Sequence, residues 1–206
     1  MPNMKADVQQ NGRTLEHLIR RCRSYRRFRQ ERLVDASLLK ELIGLAGLAA
    51  SAANRQVLRY LPVCDADVCS RLFGHLSWAG YLTDWEGPAP GERPVAYVVV
   101  LCPKESPWSV HVDAGLAVEN IVLGAVEKGL GCCILGAFDR NALAADLDVD
   151  QQYEPLLVIA IGVPGEDVVV EPIDEEHGIR YWRDEEGRHH VPKRCASELI
   201  LRTPQG

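Results

Sequence analysis

Apolar and polar residues follow a helical period near the start of the chain and predict two helices. Thr14 is a suitable N-cap for a short helix beginning at Leu15, because its hydroxyl can accept a bond from a first-turn amide. Asp35 is a matching N-cap within LVDASLLKELIGLAGLAAS, where an apolar stripe recurs every three or four residues. The small polar residues of SAANRQ, which come next, predict a loop.

Four later segments have the pattern of strands. VLRYLPVC alternates between polar and apolar positions and precedes a short helix from about Ala66 to Leu76. VAYVVVLC and PLLVIAIGVPG are continuous apolar runs, which is typical of strands covered on both faces. CCILGAF is a shorter strand, followed by a helix that Asp139 caps.

HVDAGLAVENIVLGAVEKGLG predicts a long helix that is apolar on almost every side and ends at Gly129. Such a helix belongs at the centre of a domain or at a subunit interface. Helices and strands are mixed without a regular βαβ order, so the pattern favours a layered α+β domain. We expect residues 1–206 to form one domain, because the length suits one core.

Two segments lack a regular period. SWAGYLTDWEGPAPGERP contains two tryptophans, a tyrosine and several prolines and glycines, and is either a functional lid or a plain connection. From about residue 168 the chain is polar, which predicts an extended arm with a small hairpin between Asp184 and Gly187 and a final short helix. A polar arm of this length has little reason to fold on its own chain.

Composition narrows the classes of function. The net charge of −6 argues against general affinity for nucleic acid. The N-terminal residues contain no signal-peptide pattern and no segment is apolar enough to span a membrane, so we expect a cytoplasmic protein. The seven cysteines have irregular spacing, and the adjacent Cys132 and Cys133 would point to opposite faces of a strand. Buried reduced thiols are the simpler interpretation than a metal site.

RRCRSYRRFRQER, residues 20–32, places seven arginines in thirteen positions of this acidic chain. The cluster could be a nucleic-acid patch, a solvated surface or a socket for a small phosphorylated ligand. One local cluster of arginines suits the binding of a single phosphate group better than the binding of a nucleic acid, which needs several phosphate contacts.

Four segments, in order, resemble the nitroreductase-like family of FMN-binding flavoproteins. They are RSYRRF (23–28), SAANRQ (51–56), DAGLAVENIVLGAVEKGLGCCILGAFD (113–139), and AIGVPG together with VPKR. Cys22 stands where many members have a further arginine, and Val57 and Leu58 replace a Pro-Trp pair. The resemblance implies a three-layer sandwich, with a mixed, mostly antiparallel sheet between helices and an arm that wraps the partner subunit.

The resemblance also implies which residues hold FMN. Arg23 would bind its phosphate, closed by Lys193 and Arg194, and Ser24 would add a hydroxyl. Arg26 would lie at the pyrimidine edge of the flavin, where a cation stabilises negative charge. Further contacts are expected from the partner-reaching loop and from the strand after the long helix: Ser51, Asn54, Gln56, Leu135 and Gly136. Arg27, Arg29 and Arg32 are interpreted as solvated or paired with acids.

The implied activity is an FMN-dependent oxidoreductase that passes hydride from NAD(P)H through flavin N5 to a small aromatic, nitroaromatic or quinone-like acceptor. The resemblance also implies a ping-pong cycle and a homodimer with FMN at the subunit interface. We expect no catalytic side chain and no metal. Tyr81, Trp85, Tyr181 and Trp182 are candidates for a roof over the pocket. The alternatives are a flavin-binding sensor or carrier, a specialised reductive or flavin-consuming enzyme, and a nucleic-acid binder.

Overall fold

The computed structural model describes residues 14–202, so the predictions made for residues 1–13, including the lack of a signal peptide, lie outside the described residues. The helices are α1 (Leu15–Arg21), α2 (Ala36–Ala46), α3 (Ala66–Phe73), α4 (Val110–Glu127), α5 (Arg140–Asp146) and α6 (Ala196–Leu199). The strands are β1 (Arg59–Val63), β2 (Ala96–Pro103), β3 (Gly131–Leu135), β4 (Tyr153–Gly162), β5 (Val168–Pro172), β6 (Trp182–Arg183) and β7 (His189–Lys193).

The helix starts follow the predicted caps. The side chains of Thr14, Asp35 and Asp139 each accept a bond from an amide in the first turn of α1, α2 and α5. The helix α3 ends at Phe73, three residues before the predicted Leu76, where Gly74 forms the C-cap. Gly129 follows α4 with a φ of 80°, a left-handed conformation that glycine adopts without strain.

β1 to β4 form one antiparallel sheet in the order β1-β2-β4-β3. The apolar strands β2 and β4 occupy its centre, as their continuous hydrophobic runs predict. Alternate residues of β2 enter different cores: Val98 packs with α2 and α4, and Val99 packs with α3 and α5. The domain is therefore a three-layer α+β sandwich, as expected.

Cys132 and Cys133 confirm this geometry, because they lie in the two different cores. Both thiols are buried, and burial raises the pKa of Cys133 to about 11. All seven cysteines, which lie within the described residues, are free, and no group of metal-ligating side chains occurs among residues 14–202. No helix in this part of the chain is long and apolar enough to cross a membrane.

The predicted C-terminal arm contains strands that pair with one another, and its wrapping around a partner subunit stays a prediction. β5 pairs with β7 in parallel and β6 pairs with β7 in antiparallel register, which gives a second, three-stranded sheet on the chain itself. The hairpin between Asp184 and Gly187 is present, since Gly187 N–H donates to Asp184 O at 3.0 Å. Backbone pairing between segments that are distant in sequence satisfies the polar chain without a partner.

Candidate functional site

A cleft of about 350 Å³ lies between α4, β3, the second sheet and the residues that follow α1. We call it the cleft. Its charged and polar lining residues come from both ends of the chain and from α4: Arg23, Ser24, Arg26, Glu119, Tyr181, His189 and Lys193. The structure thus brings together four of the predicted cofactor residues, Arg23, Ser24, Arg26 and Lys193.

Residues 23–29 form an extended segment along the edge of the sheet. Tyr25 N–H donates to Cys132 O at 2.9 Å, and Arg29 N–H donates to Val163 O at 2.9 Å. Gly165 permits the close approach, because a Cβ there would lie 2.9 Å from the backbone carbonyl carbon of Phe28. In an extended chain neighbouring side chains point to opposite sides, so Ser24 and Arg26 line the cleft while Arg27 does not.

Arg26 is held in place by His189 of β7. Its guanidinium Nη1 lies 2.8 Å from His189 Nε2, and its guanidinium carbon lies 4.5 Å from the centre of the Tyr181 ring. Arginine can only donate, so Nε2 accepts, and the neutral imidazole then carries its proton on Nδ1. Burial, and then the charge of Arg26, lower the pKa of His189 to about 3. This histidine is therefore neutral across the physiological pH range.

Glu166 binds the backbone of residues 23–29. Its Oε1 accepts bonds from the backbone N–H groups of Arg26 at 2.5 Å and Arg27 at 3.1 Å. Its other oxygen accepts from Arg183 at 2.9 Å, and the carboxylate is almost fully buried. Since a buried carboxylate needs paired donors, Glu166 fixes the backbone on which Arg26 stands.

Two buried donors of cleft-lining residues have no hydrogen-bond partner among residues 14–202. They are Nε of Arg23 and Nδ1 of His189. Buried donors without a partner are rare, so both mark a place where a ligand oxygen or nitrogen fits. Three cations face one carboxylate, Glu119. Burial, and then Glu119, raise the pKa of Cys22 to about 11, so the thiol adds no charge.

β7 separates the two basic residues predicted for the phosphate. His189, Val191 and Lys193 line the cleft, and these alternate positions share one face of the strand. Arg194 does not line the cleft and forms an exposed ion pair with Glu198 at 3.5 Å. Arg194, which directly follows β7, does not line the cleft of its own chain, and its contact with the phosphate stays a prediction.

Ser51, Asn54 and Gln56 lie away from the cleft in the same chain. Ser51 and Gln56 line a separate cavity of about 210 Å³. Ser51 donates its hydroxyl to the buried carboxylate of Asp113 at 2.9 Å and accepts a bond from Gln56 N–H at 3.0 Å. Asn54 accepts from the Gln56 amide at 2.9 Å. Their contact with a cofactor stays a prediction that requires the partner subunit.

The strand β3 offers different residues to the cleft than predicted. Ile134 lines the cleft, whereas the Leu135 side chain is buried in the core against α3 and α5. Gly136 is exposed just beyond the strand and does not line the cleft. The expectation of backbone contacts from Leu135 and Gly136 stays a prediction.

The four aromatic residues that were predicted to cover the pocket lie in different places. Tyr181 lines the cleft, and its ring centre lies 4.9 Å from that of Tyr81. Trp85 lies under the guanidinium of Arg183 at 4.3 Å. Trp182 is stacked between His177 and His190 at 4.3 and 4.1 Å. Only Tyr181, among these four, lines the cleft directly.

Sequence reasoning missed His189, Glu166 and Asp113. Adjacent histidines on a polar arm were expected to face solvent, yet His189 is fully buried. The apolar Val191 between His189 and Lys193 was the one available signal, since it gives β7 an inner face. Asn120 was expected to be satisfied by backbone, and its side-chain amide does donate to Leu45 O at 3.1 Å.

The fold and the cleft together define a layered α+β protein with a pocket lined by three cationic side chains and one carboxylate. A family model described as the nitroreductase family matches residues 81–163. YodC of Bacillus subtilis (strain 168), named as an NAD(P)H nitroreductase, is 30% identical over 54 residues, which cover 26% of this chain and 27% of that protein. MhqN of the same strain, also named as an NAD(P)H nitroreductase, is 24% identical over 178 residues, covering 71% and 86%.

A solved structure has the same fold. The FMN-dependent nitroreductase from Clostridium difficile R20291 superposes with a TM-score of 0.59 at 22% identity and covers 73% of this chain and 87% of that one. Residues 81–163 are thus similar to the nitroreductase family, and the chain has the fold of a solved nitroreductase, in line with the resemblance of the four sequence segments.

Proposed function

We propose that this protein is an FMN-dependent NAD(P)H oxidoreductase. The observation that carries the proposal is the cleft with its two unpartnered buried donors, Arg23 Nε and His189 Nδ1, between three cations. A volume of about 350 Å³ falls within the usual range of small-molecule sites. The FMN named for the Clostridium difficile relative fits this donor set, because it has both a phosphate and a hydrogen-bonding ring.

The residues have distinct tasks in this proposal. Arg23 and Lys193 bind the phosphate by charge-assisted bonds, and Ser24 donates or accepts beside them. Arg26 supplies a fixed positive charge at the edge of the flavin ring, because His189, Glu166 and Tyr181 hold it in one position. FMN, when bound, supplies the acceptance and donation of hydride. No carboxylate or thiol of the cleft is needed for proton transfer in this scheme.

A homodimer completes the proposal. Ser51, Asn54 and Gln56 would reach the cofactor of the other subunit, and Asp113 would fix their loop. Val112 and Leu116 leave the outer side of α4 exposed, although a helix so rich in apolar residues usually needs cover. Alternate use of the same pocket by donor and acceptor would give parallel lines in two-substrate kinetics.

Spectroscopy of the purified protein tests the proposal. We expect a yellow protein that releases FMN on denaturation and bleaches with NADH or NADPH under anaerobic conditions. Reoxidation by a quinone or nitroaromatic compound would complete turnover. A yellow protein that neither donor bleaches would instead be a flavin-binding sensor or carrier. A colourless protein that does not take up added FMN would overturn the proposal.

A further inference from the structure

A second basic surface lies on the other side of residues 23–29. It is an open groove of about 790 Å³ between α1, the turn that follows β4, and the hairpin of the second sheet. We call it the arginine groove. Six arginines line it: Arg20, Arg21, Arg23, Arg27, Arg29 and Arg188. The extended backbone explains the division, since Arg27 and Arg29 alternate with the cleft-facing Ser24 and Arg26.

Three carboxylates accompany these six arginines in the groove lining, and two of the three are already engaged. Glu166 is buried and paired with Arg183, and Glu186 lies 3.3 Å from Arg188. Asp167 is the remaining acid. Among its lining residues the groove has more arginines than carboxylates, in a chain whose net charge is −6, although Arg20 is paired with Glu16 and Arg188 with Asp184.

Two arginines of the groove have no side-chain partner among the described residues. The side chains of Arg21 and Arg29 are exposed and form neither a hydrogen bond nor an ion pair within residues 14–202. Arg27 lies 3.4 Å from Glu92, but its Nε forms no hydrogen bond. Unpaired guanidinium groups that converge on one groove repel one another, and an anion between them removes that cost.

We propose that the arginine groove binds an oligophosphate anion of the kind that a nucleoside diphosphate carries, through Arg21 and Arg29, which do not line the cleft, whereas Arg23 lines both surfaces. Guanidinium groups bind phosphate oxygens in pairs, and a diphosphate can engage several at once. Tyr25, which also lines the groove, offers an aromatic surface on which a base can pack. A long nucleic acid fits less well, because Asp167 and Glu186 interrupt the basic surface.

Calorimetric titration of the full chain at low ionic strength tests this site without any flavin chemistry. The probes are ADP, inorganic pyrophosphate and adenosine. We expect ADP and pyrophosphate to bind and adenosine not to bind. Tighter binding of ADP would assign the groove to a nucleotide, and equal binding would assign it to free oligophosphate. Absence of binding by both phosphorylated probes overturns the proposal.

Paired variants locate the binding. The double variant Arg21→Ala/Arg29→Ala should weaken pyrophosphate binding about 30-fold or more, because each removed guanidinium takes away charge-assisted bonds. Neither side chain has a structural partner, so the melting temperature should not change. The matched control Arg32→Ala/Arg202→Ala removes the same charge from exposed positions outside the groove and should change the affinity less than about threefold. Equal losses in the two double variants would contradict a defined site.

A second control separates the groove from the cleft. Lys193→Glu reverses a charge in the cleft alone, since Lys193 does not line the groove. We expect it to leave pyrophosphate binding unchanged. If it abolishes that binding while Arg21→Ala/Arg29→Ala does not, the phosphate occupies the cleft and the proposal is wrong. None of these results depends on FMN binding or turnover, so the proposed function is tested independently.

Discussion

Residues 23–29 separate two surfaces that use the same residue type in opposite ways. On the cleft side, Arg26 contacts His189 and Tyr181, and its backbone is tied to Glu166. On the groove side, Arg21 and Arg29 are exposed without side-chain partners among the described residues. A held guanidinium has already lost its rotamer freedom, whereas a free one loses it when the ligand binds. The cleft is therefore built for one ligand geometry, and the groove can adapt.

The largest effect on stability is expected from displacing residues 23–29, which line both the cleft and the arginine groove. Gly165→Val would place a side chain against the Phe28 backbone, where even a Cβ would be 2.9 Å from the carbonyl carbon. We expect the free energy of unfolding to fall by about 3 kcal/mol. Urea unfolding measures it. Gly44→Ala is the control, because a Cβ at Gly44 meets nothing within 4 Å. A Gly165→Val protein as stable as the wild type would show that the segment is not seated as described.

The second largest effect is expected on FMN affinity, and only from a substitution on the cleft side of residues 23–29. Arg26→Ala removes the held cation of the cleft, and we expect FMN affinity to fall about 30-fold, as for the loss of a strong charge-assisted bond. Arg29→Ala removes an identical charge from the groove side and should leave FMN affinity within about twofold. Flavin fluorescence quenching measures both. Equal weakening in the two variants would mean that general charge, and not the fixed position of Arg26, determines affinity.

His189 and His190 should contribute to the free energy of unfolding with pH dependences of opposite sign. Because His189 has a pKa of about 3 in the folded protein, the unfolded chain binds more protons below its ordinary pKa of 6.5. Its burial therefore costs stability as the pH falls from 6.5 towards 3, by at most about 1.4 kcal/mol per pH unit.

His190 behaves in the opposite way. Burial alone would lower the pKa of His190, but hydrogen bonds with Glu171 and Asp184 outweigh it and raise the pKa. Its contribution is complete below the unfolded pKa and is lost as the pH rises through the folded pKa.

Unfolding curves of His189→Gln and His190→Gln at about pH 5 and about pH 7 check this pair of signs. Relative to wild type, His189→Gln should be less destabilised at the lower pH, since Gln can accept from Arg26 without titrating. His190→Gln should be more destabilised at the lower pH. The same sign for both variants would contradict the environments that the second sheet gives them.

The smallest effect is expected for Arg29→Ala on stability. Its side chain is exposed and has no partner among residues 14–202, so the free energy of unfolding should change by less than about 0.5 kcal/mol. Thermal or urea unfolding of the purified variant measures it. A loss above about 1 kcal/mol would reveal a structural role that the groove geometry does not include.

The four-stranded sheet and its helices were predictable because their signals are local. The caps Thr14 and Asp35, the apolar run of β2 and the mostly apolar sequence of α4 can each be read from one element and its flanking residues. The second sheet was not predictable in the same way. Its parallel pairing joins Val168 to His189 across twenty residues of polar sequence, and nothing in either strand alone requires the other.

In the candidate site too, residues within local sequence segments were predictable, whereas contacts that depend on the second sheet were not. Arg23, Ser24 and Arg26 were predicted from one segment and Lys193 from another, and the fold brings the four together in the cleft. His189 and Glu166 were missed because their burial depends on the second sheet. The predicted role of Arg194 stays open, because in its own chain it lies beyond β7 and pairs with Glu198.

The seven cysteines make the native protein a convenient target for chemical labelling. Cys69, Cys102, Cys132 and Cys133 are buried, Cys22 and Cys64 are half-buried, and Cys195 is exposed. A maleimide dye should therefore react first at Cys195, two residues beyond Lys193 of the cleft. A single fluorophore at that position would report occupancy of the pocket in real time, without mutating any other thiol.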